Sequence, residues 1–219
     1  MISEKTVELN LTTELINWLW SLTNRVHYAI APSQRAEGQL GYDTRIRTLG
    51  GRSFFVQYKR AYVNGTRWQW HLNRTTRRDQ HAKLLALEQS GLPVRYALPF
   101  FHTPLEIAQN RRQLLKFTIW RSPSSLPVPG GGVGHHEVNL DAATGNAWLS
   151  SDTRIPIDLS TGTPDLLDIL RDQPESGNLG SAIDHFNKTF LHSIQDLGGP
   201  EAFEDSEWQG LSLVVQPLN

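Results

Sequence analysis

The 219-residue chain contains no cysteine. Disulfide bonds and thiolate metal sites are therefore excluded from its stability and its chemistry. Proteins of a reducing cytosol commonly have this composition. Long apolar runs are missing too, since no stretch of the sequence reaches the ~20 uninterrupted apolar residues of a membrane span. The N-terminal region has two glutamates before its first apolar stretch and no small-residue cleavage signature. The sequence thus predicts a cytoplasmic protein with no membrane partner.

Acidic residues are scarce in the middle of the chain. Residues 25–121 hold 17 Lys and Arg but only 5 Asp and Glu, whereas residues 122–219 hold 3 Lys and Arg and 14 Asp and Glu. A basic block of this size is the electrostatic footprint expected of a protein that binds a polyanion, because neutralising phosphates releases condensed counterions. An ordinary basic surface that the acidic half covers would give the same pattern. Both interpretations remain open at this point.

Local patterns in the basic half predict an α/β fold with a mixed central sheet. Thr12 or Thr13 is a candidate cap for the first helix, and Pro32 ends it. Gly-Gly and Asn-Gly pairs indicate turns between the strands that follow. The predicted elements, in chain order, are a helix over 12–30, three strands of one sheet within 42–72, a helix over 77–90, a strand over 93–101 and a helix from a capping box at Thr103 to about Lys116.

Proline, serine and glycine dominate residues 122–134, and the charge reverses at the same place. This composition indicates a boundary or a long loop. The sequence therefore predicts a basic core over residues 1–121, a linker or loop over 122–134 and an acidic α+β extension over 135–219. In the extension we expect HHEVNL and AWLSS to pair as strands, two helices to follow, one from residue 163 and one over Ser181–Asp196, and LSLVV to form a last strand.

A glutamine and a lysine lie two residues apart in the strand FFVQYKR. Residues two apart on a strand share a face, so Gln57 and Lys59 project together, while the aromatic and aliphatic residues between them take the other face. Phosphodiester hydrolysis with one or two divalent ions requires oxygen ligands that converge on one point. It also benefits from a nearby cation that orients water or steadies charge on phosphorus.

The segment Gly-Tyr-Asp ending at Asp43, followed by VQYK at residues 56–59, resembles the D…(E/Q)xK signature of PD-(D/E)XK nucleases. The predicted αβββαβ order over residues 12–101 resembles that family's core. The resemblance implies that Asp43 binds Mg²⁺ or Mn²⁺, that Gln57 contributes an oxygen and that Lys59 assists the attacking water. The glutamine form is associated with restriction enzymes that cut methylated DNA and with some repair nucleases, which implies a restriction or antiviral-defence role.

Gln57 lacks the charge that a glutamate would supply, so a second carboxylate must come from elsewhere. Glu37 is the nearest candidate for the catalytic and metal site, and Glu14 on the first helix is the other. A two-residue Gly-Gly loop would pair Asp43 with Tyr58 and place the aspartate on the wrong face of the sheet. The site therefore requires a connection of odd length or a bulge.

Several other polar residues are candidates for binding. The candidates for phosphate contact lie after the QxK strand and on or near the second helix. They are Arg60, Arg77, Arg78, His81 and Lys83. The alternative is that these residues form a solvated face. His135, His136 and Glu137 could donate to a transition metal, but adjacent histidines on a strand point to opposite faces. At most one of them joins a given site, and a loop or strand start is the favoured interpretation. Trp68 and Trp70 are expected in the core rather than as base-stacking platforms.

Two functions follow from these patterns. The first is a metal-dependent endonuclease, a hydrolase that binds and cuts nucleic acid, with DNA as the expected substrate. The alternative is a non-catalytic module that keeps the nuclease fold and contacts nucleic acid or a protein partner through the basic block. Self-association, with the acidic half of one copy on the basic half of another, is a third possibility.

Overall fold

A computed structural model describes residues 1–24, 26–33, 37, 39–48, 53–73, 79–129, 134–151, 153–159 and 212–214. These residues form a mixed α/β protein with two β-sheets and few helices. No helix in the described ranges is both long and apolar enough to cross a membrane.

The helices, in chain order, are α1 (Glu4–Thr23), α2 (Gln80–Gln89) and α3 (Pro104–Gln109), with one 3₁₀ turn at Pro123–Ser125. The strands are β1 (His27–Ile30), β2 (Thr44–Thr48), β3 (Ser53–Tyr58), β4 (Tyr62–Asn64), β5 (Arg67–Asn73), β6 (Val94–Pro99), β7 (Thr118–Arg121), β8 (His136–Asp141), β9 (Ala147–Ser150), β10 (Arg154–Ile157) and β11 (Ser212–Val214).

The first sheet has the strand order β11-β1-β2-β3-β6-β7. The pair β3 and β6 is parallel, and the other neighbours are antiparallel. Strand β3 lies at the centre of this sheet and all six of its residues are buried. A continuous buried run is typical of a strand that is covered on both faces.

The second sheet is antiparallel, with the order β10-β9-β8-β5-β4. The predicted pairing of HHEVNL with AWLSS is confirmed as β8 and β9, and the predicted last strand is confirmed as β11, which pairs with β1. Residues 136–157 therefore extend a sheet that begins with β4 and β5. The division into domains at residues 122–134 stays a prediction, and the two helices expected after residue 160 lie outside the described residues.

The first helix begins earlier and ends earlier than predicted. Ser3 caps it by accepting a hydrogen bond from the backbone N of Thr6 (3.0 Å), and Asn24 ends it in the left-handed conformation. The prediction of a helix over 12–30 with a cap at Thr12 or Thr13 is wrong at both ends, and residues 27–30 form β1. The apolar stripe starts upstream of the predicted cap, since Val7 and Leu11 are both fully buried.

The predicted third strand belongs to a different sheet. Residues 42–72 contain β2 and β3 of the first sheet, but β4 and β5 lie in the second. The parallel strand β6 takes the free edge of β3, and β1 provides the third antiparallel strand of the first sheet. The sequence of β6, VRYALP, is almost entirely buried, whereas β5 has its first residues exposed or half-buried. The more apolar strand therefore occupies the position that is covered on both faces.

The two faces of β3 meet different parts of the core. Phe54, Val56 and Tyr58 pack with α1, whereas Phe55 packs with residues of α2 and the second sheet. The alternation predicted for FFVQYKR is therefore confirmed. Gln57 lies on the face of Phe55, at the end of the strand where the polar residues follow.

Candidate functional site

The register between β2 and β3 decides where Asp43 lies. Thr44 pairs with Val56 and Arg47 pairs with Ser53, so five residues separate the last paired positions. The connection has the odd length that the site requires. The backbone N of Asp43 donates to the carbonyl of Val56 (3.1 Å), which continues this register and places Asp43 opposite Gln57, on the same face of the sheet.

Asp43, Gln57 and Lys59 converge in one buried polar cluster. The Oδ2 atom of Asp43 accepts hydrogen bonds from Nε2 of Gln57 and from the backbone N of Tyr58, each at 2.7 Å. Gln80 joins the other two side chains, because it accepts from Nζ of Lys59 (2.7 Å) and donates to Oε1 of Gln57 (2.8 Å). Asp43, Gln57 and Lys59 are only 8%, 2% and 5% exposed. A continuous chain of hydrogen bonds thus connects the lysine to the aspartate.

The segment Gly-Tyr-Asp fits this site because each residue has its own contact. Gly41 has φ +83°, and a Cβ added there would lie 3.0 Å from Cβ of Lys83 and 3.3 Å from the carbonyl oxygen of Gln80. The backbone can pass this close to α2 only because the residue is glycine. Tyr42 packs edge-on against Phe55, with ring centroids 4.8 Å apart. Asp43 is thereby directed toward the end of β3.

The Asp43 carboxyl has an unusual electrostatic environment. Burial raises its pKa well above the ordinary value, Lys59 lowers the pKa, and Glu4 and Glu37 raise it again. The hydrogen bond from the backbone of Tyr58 lowers it. Two other carboxyl groups and one buried lysine therefore act on the Asp43 carboxyl. Such an arrangement favours a proton or a cation at the aspartate.

Of the two acidic residues that act on Asp43, one was predicted from the sequence and one was not. Glu37, predicted from its proximity in sequence, lies in the segment before Gly41, where its carbonyl accepts from the backbone N of Gly41 (2.8 Å). Glu4 was missed, and its Oε1 lies 3.9 Å from Nζ of Lys59. Glu14, the other candidate, lies elsewhere, because its Oε1 accepts from the backbone N of Leu115 (3.2 Å).

A helical stripe on α1 connects Glu4 to the sheet. One turn after Glu4, Oε1 of Glu8 accepts from the hydroxyl of Thr44 (3.0 Å), and the hydroxyl of Thr12 lies 2.8 Å from that of Tyr58. Residues four apart share one face of a helix. A helix that begins after Ser3 places Glu4 on the face of Glu8 and Thr12, but the contact of that face with Lys59 depends on how α1 packs on the sheet. Gln80 has no such signal, since its contacts depend on how α2 packs on the sheet.

The predicted phosphate-contacting residues have intramolecular contacts where they are described. Nε of Arg60 donates to the hydroxyl of Tyr62 (2.6 Å), and its guanidinium lies over that ring at 4.5 Å. Lys83 forms an ion pair with Asp79 (2.9 Å). Arg77 and Arg78 lie outside the described residues, and their role stays a prediction.

His81 was predicted to contact phosphate or to lie on a solvated face. Both predictions are wrong, because this residue is 2% exposed and belongs to the core. Its ring is parallel to that of Tyr96 at 5.8 Å, and its Nδ1 lies 3.0 Å from the tyrosine hydroxyl. Burial, followed by His136 and Lys59, lowers the pKa of His81 to about 4. A histidine that is neutral at pH 7 supplies no charge to a phosphate. Trp70 is fully buried, as predicted, and its Nε1 donates to the carbonyl of Pro99 (3.0 Å).

Comparison of the chain with protein-family models, with curated proteins and with solved structures finds no match in any of the three.

Proposed function

We propose that this protein is a metal-dependent nuclease of the PD-(D/E)XK type, with Asp43, Gln57 and Lys59 as its central residues. The observation that supports the proposal most directly is their convergence in one buried polar cluster. The element order α1-β1-β2-β3-α2-β6, with β4 and β5 inserted before α2, agrees with the αβββαβ order of that family's core. DNA is the proposed substrate, in a restriction or antiviral-defence role.

The side chains around Asp43 fit a hard divalent cation such as Mg²⁺ or Mn²⁺. Such ions take carboxylate and amide oxygens, and Asp43, Gln57 and the carboxylates of Glu37 or Glu4 supply both kinds. The two hydrogen bonds described for the Asp43 carboxylate go to Oδ2, which leaves Oδ1 for a metal ion. A cation there would also compensate the buried negative charge. When bound, the metal would lower the pKa of a water molecule so that hydroxide forms near neutral pH.

The direction of the Gln57 side-chain amide decides which of its atoms faces Asp43. Gln57 directs its NH₂ group toward Asp43 and its carbonyl oxygen toward Gln80. To offer an oxygen beside Asp43, the amide must turn over, which brings its NH₂ group against the NH₂ group of Gln80. Gln80 would then have to change its hydrogen bonds as well, including the one that it accepts from Lys59. Metal binding would therefore replace part of the hydrogen-bond network of the cluster.

Lys59 would act on the phosphate or on the attacking water. Its ammonium group is fixed by Gln80 and lies near Glu4, whose side chain is 45% exposed. Glu4 is thus the solvent-exposed contact of Lys59, and a phosphodiester would approach the cluster from its side. A preorganised cation in a poorly solvated site stabilises developing negative charge better than one in bulk water.

The alternative function is a non-catalytic binding or assembly module. It is favoured by one observation, namely that hydrogen bonds already join Asp43, Gln57, Gln80 and Lys59 to one another. In that case the basic block would bind nucleic acid or an acidic protein surface, and the cluster would serve the fold alone.

A cleavage assay separates the two functions. Supercoiled plasmid and single-stranded DNA and RNA are incubated with the protein in Mg²⁺, Mn²⁺ or EDTA, beside Lys59→Ala and the control Lys116→Ala, which changes an exposed lysine. We expect metal-dependent cleavage by the wild type and the control, and a loss of at least ~10²-fold in Lys59→Ala, within the range of a positioned charge or proton-transfer group. Binding without cleavage in every metal would replace the nuclease by the binding module.

A further inference from the structure

Three potential metal ligands meet on the second sheet. His71 on β5 lies directly opposite Glu137 on β8 in the strand register. His135 precedes Glu137 by two residues, so the two side chains share a face. His136 points the other way and is 2% exposed. The cross-strand pair and the alternation of the strand thus place two imidazoles and one carboxylate together.

The distances within this cluster are close to those of a coordination site. Nδ1 of His71 lies 2.9 Å and Nε2 of His135 lies 3.5 Å from Oε1 of Glu137. One ligand atom from each residue lies within 4.8 Å of the other two. Ligand atoms bound at ~2.0–2.2 Å around one tetrahedral ion are roughly 3.2–3.6 Å apart. Small rotations of the side chains would therefore suffice to bring all three to one ion.

The cluster also contains an unsatisfied nitrogen. Nδ1 of His71 is buried and forms no hydrogen bond within the described part of the chain, although Oε1 of Glu137 lies 2.9 Å away. A buried polar atom without a hydrogen-bond partner is unfavourable in a folded protein. A metal ion bound at this nitrogen would give it a partner.

We propose that His71, His135 and Glu137 form a binding site for a divalent transition-metal ion of the zinc class. Two imidazole nitrogens and one carboxylate oxygen suit zinc or a neighbouring first-row ion better than Mg²⁺, which prefers oxygen ligands alone. The site is separate from the Asp43 cluster in both its residues and its ligand chemistry. His135 is 51% exposed, so an ion can enter from solvent.

Three protein ligands leave a coordination position open, as in zinc sites that bind water or a substrate group. The ion would also connect β5 to the residues that begin β8, directly after the Pro/Ser/Gly-rich segment. Zinc binding should therefore hold these two strands together and raise the melting temperature of the protein.

The experiment compares zinc binding by full-length variants that have first been stripped with a chelator. Equilibrium dialysis with metal analysis and competition with a chromophoric chelator give the dissociation constant, and Co²⁺ gives a visible d–d band that reports coordination. The variants are His135→Gln, chosen because this side chain is half exposed and its loss should not disturb the fold, and Glu137→Gln. His102→Gln is the matched control, since Nδ1 of His102 lies 3.1 Å from Oε2 of Glu106 in a histidine–glutamate pair outside the proposed site.

We expect both site variants to bind zinc at least about tenfold more weakly than the wild type, since loss of even a residue that only supports a ligand typically costs 10–100-fold. His102→Gln should keep the wild-type affinity. Equal zinc affinity in wild type, His135→Gln and Glu137→Gln would overturn the proposal, as would an equal loss in His102→Gln.

Discussion

Replacing the buried carboxylate of Asp43 by an amide should stabilise the protein in the absence of metal. Burial raises the pKa of Asp43 well above its ordinary value, and the nearby carboxylates add to the effect. Each unit of such a rise corresponds to about 1.4 kcal/mol of unfavourable free energy for the ionised form in the folded state. The amide of Asp43→Asn removes the charge, and its oxygen can still accept from Gln57 and from the backbone N of Tyr58.

The sign of the pH dependence follows from the same shift. An aspartate whose pKa is higher in the folded state binds its proton more tightly there, so its contribution to stability is present below the unfolded pKa of ~3.9 and is lost as the pH rises through the folded value. At pH 7 in EDTA we expect Asp43→Asn to unfold with a free energy on the order of 1–3 kcal/mol higher than the wild type, the range for relieving an unfavourable buried polar group. Each 1 kcal/mol raises the melting temperature by ~2–4 °C in a chain of this size.

Thermal and urea unfolding at pH 5 to 8 in EDTA measure this difference. The control is Asp141→Asn, because hydrogen bonds from Thr66 and from the backbone N of Ala143 lower the pKa of Asp141. Its contribution has the opposite sign, being present above the unfolded pKa, so this variant should not gain stability at pH 7. Mg²⁺ should stabilise the wild type and not Asp43→Asn. A less stable Asp43→Asn in EDTA would refute the reasoning, since the ionised carboxylate would then be a net stabilising group.

Three further predictions concern Gly41, Gln57 and the acidic region after residue 160. Gly41→Ala should lower stability by roughly 1–3 kcal/mol and reduce cleavage, because it strains a positive-φ position and places a Cβ against Lys83; Gly145→Ala, also at positive φ but with open space around it, is the control for thermal melts. Gln57→Glu should weaken the metal-free fold but tighten Mg²⁺ binding, measured by calorimetry, since two carboxylates at hydrogen-bond distance cannot both ionise without a cation. Removal of residues 160–219 should strengthen DNA binding at constant salt if the acidic region masks the basic block. In a salt titration, log K should fall with log salt by about 0.9 for each phosphate contacted. Weaker binding by a folded truncation would contradict masking.

The sequence was most informative where a short segment carries the whole pattern. The alternation in FFVQYKR gave both faces of β3, and the Gly-Tyr-Asp segment gave the partner residue Asp43. The hairpin of β8 and β9 followed from two apolar runs beside a Gly-Asn turn. In each case the residues that interact are close in sequence, so local periodicity is enough.

The errors arose at the start of the first helix and where the decisive contact is distant in sequence. Thr12, Thr13 and Glu14 resemble a helix start, but Ser3 has the same capping chemistry and lies before the buried Val7. Strand β5 does not pair with β3 because β6, which begins more than 20 residues later, occupies that edge of β3. The sheet to which β5 belongs therefore depends on a distant segment. Glu4 and Gln80 reach Lys59 from two helices whose packing no local pattern specifies.

The glutamine at position 57 has a physical reason within this site. A carboxylate in its place would lie at hydrogen-bond distance from the buried Asp43, whose pKa is already raised by burial, by Glu4 and by Glu37. The amide instead donates to the aspartate, and its oxygen is held by Gln80, which also fixes Lys59. The amide therefore adds no second charge to the cluster. In the proposed nuclease, the charge that a metal requires would come from the carboxylates of Glu4 on α1 and Glu37 in the segment before Gly41. Gln57 would thus make the stability of the fold less dependent on the metal than a glutamate would.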